Sequence, residues 1–535
     1  MKDKLKKVLS DALTKLDINV NDIIIEIPKD SSNGDYSSNI AMQLARVLKK
    51  NPREIAAIIK DNINSDNANF ITKIEIAGPG FLNFFVKKDY LFDNINKVLE
   101  LGDNYGNSNI GSGIKVNLEY VSANPTGFLH IGHARGAAYG DSLANIMRSQ
   151  GFDVTREYYI NDAGNQINNL EKSIIVRYHN LCGIDDMLGE NSYHGEDIIE
   201  VARDIYNEYG SSVKDDVFRK KGVDFLLKKI KSDLNDFRIH FDKWSSEMDL
   251  YKNKEVDNVL SKLKESGNTY MSDNALYLKT SLYGDEKDRV LVKSDNNNTY
   301  LLPDIAYHLN KYRRGYDKLI DVLGADHHGY INRLKAAITI MGEDSSKLEV
   351  KILQMVRLLR NGEEIKLSKR TGKTLTLNDL LQEVGVDAAR YFFSSRSLDT
   401  QLDFDMELAN KKSNENPVYY VCYAHARICS ILNEYNKEIG NSDYKTLTSE
   451  YVLNLLSKIY EFEEVVKSSA LKEQPHLITN YVYELAQAFH SFYAHEKVLT
   501  DDTNYTLDRI NLIKATKITI KNALRLIGVN APEKM

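Results

Sequence analysis

The sequence predicts an α/β protein in three parts: an N-terminal α+β domain, a parallel-sheet α/β domain with a helical insertion, and a C-terminal all-α bundle. Three observations carry this. The chain has 535 residues, too many for one core, and a length prior points to ~3 to 4 domains. A strand–helix–strand rhythm begins near residue 114 and returns near residue 319, which implies βαβ units and a parallel sheet split by an insertion. From about residue 405 the apolar positions take helical spacing.

The first part spans residues 1–105. Leu5, Val8, Leu9, Ala12, Leu13 and Leu16 lie on one face of an amphipathic helix. An apolar strand, Ile23 to Ile27, a turn at Gly34-Asp35 and a helix from Ile40 to Leu48 follow. IEIAGPGFLNFFV reads as two short apolar runs around a Gly-Pro-Gly turn, and the Gly- and Asn-rich residues 102–113 read as a boundary. The second part, 106–380, opens with Ile114, Val116, Leu118 and Tyr120 alternating with Lys115, Asn117 and Glu119, a strand period. A loop with Pro125 and Gly127 leads into a helix that ends near Gly151, and Val154 to Ile160 is the next strand. Later come a strand from Leu319 to Leu323, a loop from Gly324 to Gly329, a helix from Tyr330 to Met341, and an apolar run from Val350 to Leu359. Between the halves, residues of about 165–285 are mainly helical and charged and read as the insertion. The third part, 381–535, is the bundle; Asn416-Pro417 supplies an N-cap and first-turn start for one of its helices.

Composition narrows the function classes. Hydrophobic residues make up 42% and charged residues 27%, as in soluble globular proteins. No run approaches the ~18 apolar residues of a membrane span, and the basic N-terminus lacks the apolar core of a secretory signal. Cys182, Cys422 and Cys429 form no CxxC pair, so neither a disulfide framework nor a cysteine zinc site is expected, and a cytoplasmic location is. A net charge of −6 disfavours a protein that only coats nucleic acid, but not a large enzyme with local basic patches. The run Arg219, Lys220, Lys221, Lys228, Lys229 and Lys231 is such a patch, and reads equally as a solvated helix face.

Two constellations carry chemistry. His130-Ile131-Gly132-His133 sits between the first strand and the next helix. Ligands of open parallel sheets lie at strand carboxyl ends, and a helix N-terminus suits phosphate. Histidines three apart share a helix face and can address one ligand, while Gly132 and Gly136 permit close approach of a base or backbone. The tetrapeptide alone leaves core histidines or half a metal site open, although no carboxylate or cysteine stands at ligand spacing. The second is Lys366-Leu367-Ser368-Lys369-Arg370-Thr371-Gly372-Lys373, a loop able to grip a polyphosphate and by itself also readable as a solvated basic loop. A guanidinium is best held by a buried carboxylate; Asp304 and Glu119 fall where strands are expected to end, though either alone reads also as a surface carboxylate or cap. Asp326-His327-His328 could ligate zinc, but no further ligand cluster accompanies it. Asp403 and Asp405 read as capping or structural residues.

HIGH after the first strand and KLSKR after the last strand of a split, Rossmann-like sheet resemble the two signatures of class I aminoacyl-tRNA synthetases. EYVSANPTGFLHIGHARG, REYYINDAGNQI, YLLPDIAYHLNKY, VLGADHHGY, KLSKRTG, VDAARYFF and LRLIGVNAPEKM resemble the arginyl-tRNA synthetase family, and GDYSSNIAMQLAR and GPGFLNFF its N-terminal domain. The resemblance covers essentially the whole chain. It implies that His130 and His133 bind ATP phosphates and stabilise the transition state, with Gly132 against adenine, and that Lys366, Ser368 and Lys369 close over pyrophosphate. Leu367 and Arg370 depart from the second signature. It further implies that Glu119, Asn124, Tyr300, Asp304 and Asp326 contact arginine.

For RNA, the family assigns the face bearing Phe81 and Asn83 to the D-loop corner of tRNA, and the helical domain to the anticodon. In that domain Tyr419, Tyr420, Tyr423, His425 and Arg427 could meet unpaired bases. For each of these aromatics a core position is the competing expectation, as are core for Phe81 and a turn cap for Asn83. The implied substrates are ATP with Mg²⁺, L-arginine and tRNA(Arg), with no structural metal, no membrane and a monomeric enzyme. Two rivals are a class I synthetase for another amino acid and a non-catalytic tRNA-binding paralogue. Tyr300 with Asp304 argues against the first; the retained His130, His133, Lys366 and Lys369 argue against the second.

Overall fold

The apolar stripe at the N-terminus forms α1 (Lys2–Lys15), which buries Leu5, Val8, Leu9, Ala12 and Leu13. The structure is a computed structural model. It describes all residues except 21, 27, 29 and 366–374, and all side chains except those and residues 31, 215, 216 and 326–328. Two units divide the chain, Met1–Asn96 and Lys97–Met535.

In the first unit, β1 (Tyr36–Ser38), α2 (Ile40–Leu48), α3 (Pro52–Asp61), β2 (Ile71–Ala77) and β3 (Phe81–Val86) follow α1, and α4 (Asp89–Leu101) leads out. The strands form an antiparallel sheet in the order β1-β3-β2. Leu82, Phe84 and Val86 join Leu5, Leu9, Ile40 and Ile55 in its core, so strand alternation turns Phe81 and Asn83 to the other face. The strand expected over Ile23–Ile27 is not there: of its described residues only Glu26 bridges, to Ser37. Ile23 and Ile25 are held by burial in the core instead.

The second unit is built on β4 (Lys115–Glu119), α5 (Ile131–Ser149) and β5 (Asp153–Ile160). The long excursion that follows holds α6 (Gly164–Leu181), α7 (Glu196–Tyr209), α8 (Asp215–Asp236), β6 (Lys243–Ser246), α9 (Glu247–Lys252), α10 (Glu255–Glu265), β7 (Thr269–Ser272), β8 (Ala275–Leu278) and β9 (Arg289–Val292). It is therefore less purely helical than the sequence suggests: β7, β8 and β9 form their own antiparallel sheet, and β6 joins the main one. Arg219 and Lys221 of the basic run pair with Glu171 and Glu208, as on a solvated helix face.

The chain returns through α11 (Leu301–Arg313), β10 (Lys318–Gly324), α12 (Ile331–Ile340) and β11 (Leu348–Leu353). The main sheet is parallel throughout, in the order β11-β10-β4-β5-β6. The carboxyl ends of the central β4 and β10 thus lie side by side. The apolar run Val350–Leu359 breaks at Gln354-Met355: β12 (Val356–Arg360) leaves for a small sheet with β13 (Glu363–Glu364) and β14 (Leu402–Asp405). Asp403 there forms a two-point ion pair with Arg357, and Asp405 caps the helix after it, the structural roles expected. Helices α13 (Leu377–Val384), α14 (Val386–Ser394) and α15 (Met406–Asn410) lead to a bundle of α16 (Pro417–Tyr435), α17 (Glu450–Lys472), α18 (His476–His495) and α19 (Thr503–Leu526). The Asn416 side chain accepts from the amides of Val418 and Tyr419, capping α16 as its sequence predicts.

Candidate active site

Both histidines of the first motif stand at the N-terminus of α5. The Nδ1 of His130 accepts from the amide of Gly132 at 3.1 Å, and the Nδ1 of His133 accepts from the amide of His130 at 3.2 Å. With each Nδ1 used as an acceptor, a neutral ring carries its proton on Nε2 and offers a donor there. The rings stack with centroids 3.9 Å apart. A Cβ at Gly132 would come within 2.9 Å of the His130 ring, so a side chain there would displace it. At Gly136 the nearest neighbour of an added Cβ is Leu353, at an ordinary 3.5 Å. Within the protein the tight packing is at Gly140, where a Cβ would meet the Tyr120 ring at 2.2 Å.

The histidines open onto a cleft of about 510 Å³ that Asn124, Gln166, Tyr193, His194 and Thr376 also line. Thr376 bridges to His130, and the amide of Leu377 donates to the carbonyl of Leu129 at 2.7 Å. The chain just after the basic segment is thereby tied to the histidine motif. Lys366, Ser368 and Lys369 themselves lie outside the described residues, as does the side chain of Asp326 in the turn Ala325–Tyr330.

The amino-acid side of the site starts where β4 ends. Val121 and Ser122 both have positive φ, 69° and 37°, a strained reversal for a β-branched residue of the kind that clusters at functional sites. It carries Asn124 to the cleft, where its Nδ2 donates to Gln166 at 2.6 Å. Glu119, the last residue of β4, is buried, and its carboxylate is already engaged. It accepts from Lys311 at 2.5 Å, Tyr307 at 2.8 Å and Ser122 at 2.8 Å. Lys311, fully buried, also reaches Asp321 at 2.7 Å, and Asp321 accepts from His308 at 2.7 Å. His308 faces acceptors on both ring nitrogens, Asp321 and the carbonyl of Asp304, so it is an imidazolium. Burial opposes that charge, and the Asp321 carboxylate overrides it. Burial likewise opposes charge on Lys311 and Asp321, whose mutual attraction prevails, raising the lysine and depressing the acid. Glu119, Asp321, Lys311 and His308 thus form a charge-balanced quartet beneath the pocket.

Asp304 lies in the first turn of α11, not at the end of a strand as the sequence reading has it. Tyr300 precedes that turn, half exposed. The carboxylate of Asp304 accepts from the Tyr330 hydroxyl. A second acid stands near it, Glu247 at the start of α9, only 4% exposed and accepting from the Tyr159 hydroxyl at 3.0 Å. Burial, with Asp304 and Asp162 nearby, pushes the Glu247 carboxyl up to about 7, although the Tyr159 hydrogen bond opposes the shift. Two neighbouring carboxylates, with Tyr159, Tyr251 and Tyr330 around them, form a site for a cation. The sequence reading missed Glu247; the one local signal is a Ser-Ser-Glu helix start after a short strand, which does not mark burial. Among the described residues no group of His, Cys, Asp or Glu could hold a metal ion, and no helix is long and apolar enough to cross a membrane.

Two further surfaces bear expected residues. Tyr420 and Arg427 line a groove of about 740 Å³ in the helical bundle, with Tyr419, Tyr423 and Tyr493. The Arg427 guanidinium lies 4.6 Å from the Tyr423 ring centroid and 4.8 Å from that of Tyr493. His425 does not join them: it is buried, with Nδ1 on the carbonyl of Pro532 at 2.8 Å. In the N-terminal unit, Phe81 is half-buried outside the core cluster, while Asn83 is buried mid-strand and accepts from Ser37 at 2.8 Å.

Known proteins share this architecture and sequence. Residues 2–86 match the arginyl tRNA synthetase N terminal domain, 94–410 the catalytic domain of tRNA synthetases class I (R), and 421–535 the DALR anticodon binding domain. An arginine–tRNA ligase of Anoxybacillus flavithermus is 51% identical across 100% of this chain and 99% of its own. One from Staphylococcus epidermidis is 52% identical over 96% of this chain and 95% of its own. The arginyl-tRNA synthetase of Thermus thermophilus superposes with a TM-score of 0.80 at 21% identity, covering 99% of both chains, and so shares the fold. The chain belongs to the arginyl-tRNA synthetase family of class I aminoacyl-tRNA synthetases.

Proposed function

We propose that the chain is an arginine–tRNA ligase: it activates L-arginine with ATP and transfers the arginyl group to the terminal adenosine of tRNA(Arg). The observation that carries this is the buried Glu247 with the Asp304 carboxylate near it. A guanidinium is always charged and forked, and two carboxylates on tyrosine-lined walls complement it. Arginine bound there sends its own carboxylate toward Asn124 and the histidine cleft. An oxygen of that carboxylate attacks the α-phosphorus of ATP, which enters with Mg²⁺, and the bond to pyrophosphate breaks. The Nε2–H groups of His130 and His133 stabilise charge on the phosphate oxygens, and Lys366, Ser368 and Lys369 draw off pyrophosphate. The 2′-hydroxyl of the terminal adenosine then attacks the arginyl carbonyl, and AMP leaves. Glu119 acts through the quartet that seats α11, and Asp326 contacts the amino acid.

Phe81 and Asn83 serve the D-loop corner, and Tyr420 with Arg427 the anticodon. The stacked tyrosines and Arg427 of the bundle groove suit unpaired bases. The enzyme works as a cytoplasmic monomer. Charging tRNA with each of the twenty amino acids tests the proposal. Arginine alone should be incorporated, and equal incorporation of lysine or glutamine would refute it.

A further inference from the structure

The cleft beside the histidines has a wall that the activation step does not use. Tyr193 and His194 come from the segment between α6 and α7 and line the same cleft as the motif. This wall is built, not incidental. Asp197, in the first turn of α7, is packed so closely that a Cβ on Gly127 would lie 2.7 Å, and one on Gly195 2.1 Å, from its carboxylate. Phe128, next to the histidine motif, packs into the helical core of Ile167, Leu170, Ile198 and Val201. The amide of Tyr193 is fixed on Ser173 Oγ at 2.9 Å. Phe128 and Tyr193 therefore rest on the same helical support.

The position of the ring selects the ligand. The Tyr193 hydroxyl lies beside Thr126 and near Tyr300, between the motif that holds phosphate and the turn that leads to Asp304. The arginyl carbonyl must lie on that line, and the second nucleophile must enter there. The family resemblance places the adenine of ATP against Gly132, which is not among the residues lining this cleft. A half-buried tyrosine ring at the mouth of a cleft of about 510 Å³ matches a nucleoside in size and offers a stacking face.

We infer that Tyr193 is the platform on which the 3′-terminal adenine base of tRNA stacks, with the exposed His194 beside it contacting the ribose or its phosphate. This orients the 2′-hydroxyl toward the arginyl carbonyl, making Tyr193 a positioning residue for the transfer step. The inference rests on the aminoacylation reading above.

The test is a binding cycle. Affinities for tRNA(Arg) and for the same tRNA lacking its terminal adenosine are measured with wild-type, Tyr193→Leu and Tyr193→Phe enzymes. ATP affinity and thermal unfolding are measured alongside. Wild type should prefer the intact tRNA by about tenfold or more. Tyr193→Leu should lose that preference with ATP affinity and melting temperature unchanged, and Tyr193→Phe should keep it. A Leu variant that retains the preference overturns the inference, as does a wild type that shows none. A matching loss of ATP affinity overturns it too, by moving the ring to the other adenine. Charging of wild type with arginine is scored separately, so its failure would count against the proposed function and not against the role of Tyr193 alone.

Discussion

Replacing Glu247 by Gln should make the protein more stable and worse at binding arginine, and pH separates the two effects. Glu247 is 4% exposed and its carboxyl is held at about 7, compared with an ordinary 4.5. Between those values the folded chain keeps a proton that the unfolded chain has released. The native state then binds more protons, so stability falls as pH rises through this window. The accumulated cost at pH 8 is roughly 3 kcal/mol. Glu247→Gln removes it, so urea unfolding should show the variant gaining about 3 kcal/mol on wild type between pH 4 and pH 8. Arginine binding should move the other way. At pH 8 the variant should lose about 30-fold or more in arginine affinity, since removing one partner of a buried charge pair costs about 2 to 5 kcal/mol. Wild-type affinity should itself fall about tenfold per pH unit below 7, as the carboxylate must ionise to hold the guanidinium. A variant with unchanged arginine affinity, or a stability difference that does not vary with pH, would refute the reasoning.

Asp304→Asn should weaken arginine binding by about 2 to 5 kcal/mol and leave ATP binding nearly unchanged; calorimetry with each ligand distinguishes them. Lys311→Met should lower stability by about 3 to 5 kcal/mol at pH 7, because Glu119 would be left buried without its cation and Asp321 with His308 alone. Acid should restore part of that loss, which thermal unfolding at pH 5 would reveal. His133→Ala should slow adenylate formation about 100-fold or more with arginine affinity preserved; near-normal turnover would remove the ring from catalysis. Phe81→Ala should raise the KM for tRNA about tenfold without an early melt, since Phe81 lies outside the core cluster; a lowered melting temperature with normal tRNA binding would make it structural.

Patterns that act over neighbouring residues were legible in the sequence. Alternation across Ile114–Tyr120 marks β4, and Gly and His residues after Pro125 mark a helix N-terminus open to ligand. The Asn416-Pro417 start of α16 is equally local. Features that depend on tertiary partners were not legible. Val350–Leu359 is one apolar run by periodicity, yet its ends pair with β10 and with β14, which lies 46 residues on at Arg357–Asp403. Ile23 and Ile25 are apolar at alternate positions because they are buried, not because they form a ladder. Glu119 carries no sign that a lysine 192 residues away occupies its carboxylate. Glu247 becomes visible as a pocket acid only when β6 adds to the sheet and brings α9 near Asp304.

Asp304 and Glu247 together select a guanidinium for transfer to tRNA in the proposed reaction. The most direct measurement is kcat/KM for charging tRNA(Arg) with arginine, lysine and citrulline, the last being close to arginine in shape but uncharged. Arginine should be favoured over both, by about 10⁴-fold where pocket carboxylates would be left unpaired. Charging with citrulline or lysine at a rate near that of arginine would contradict it.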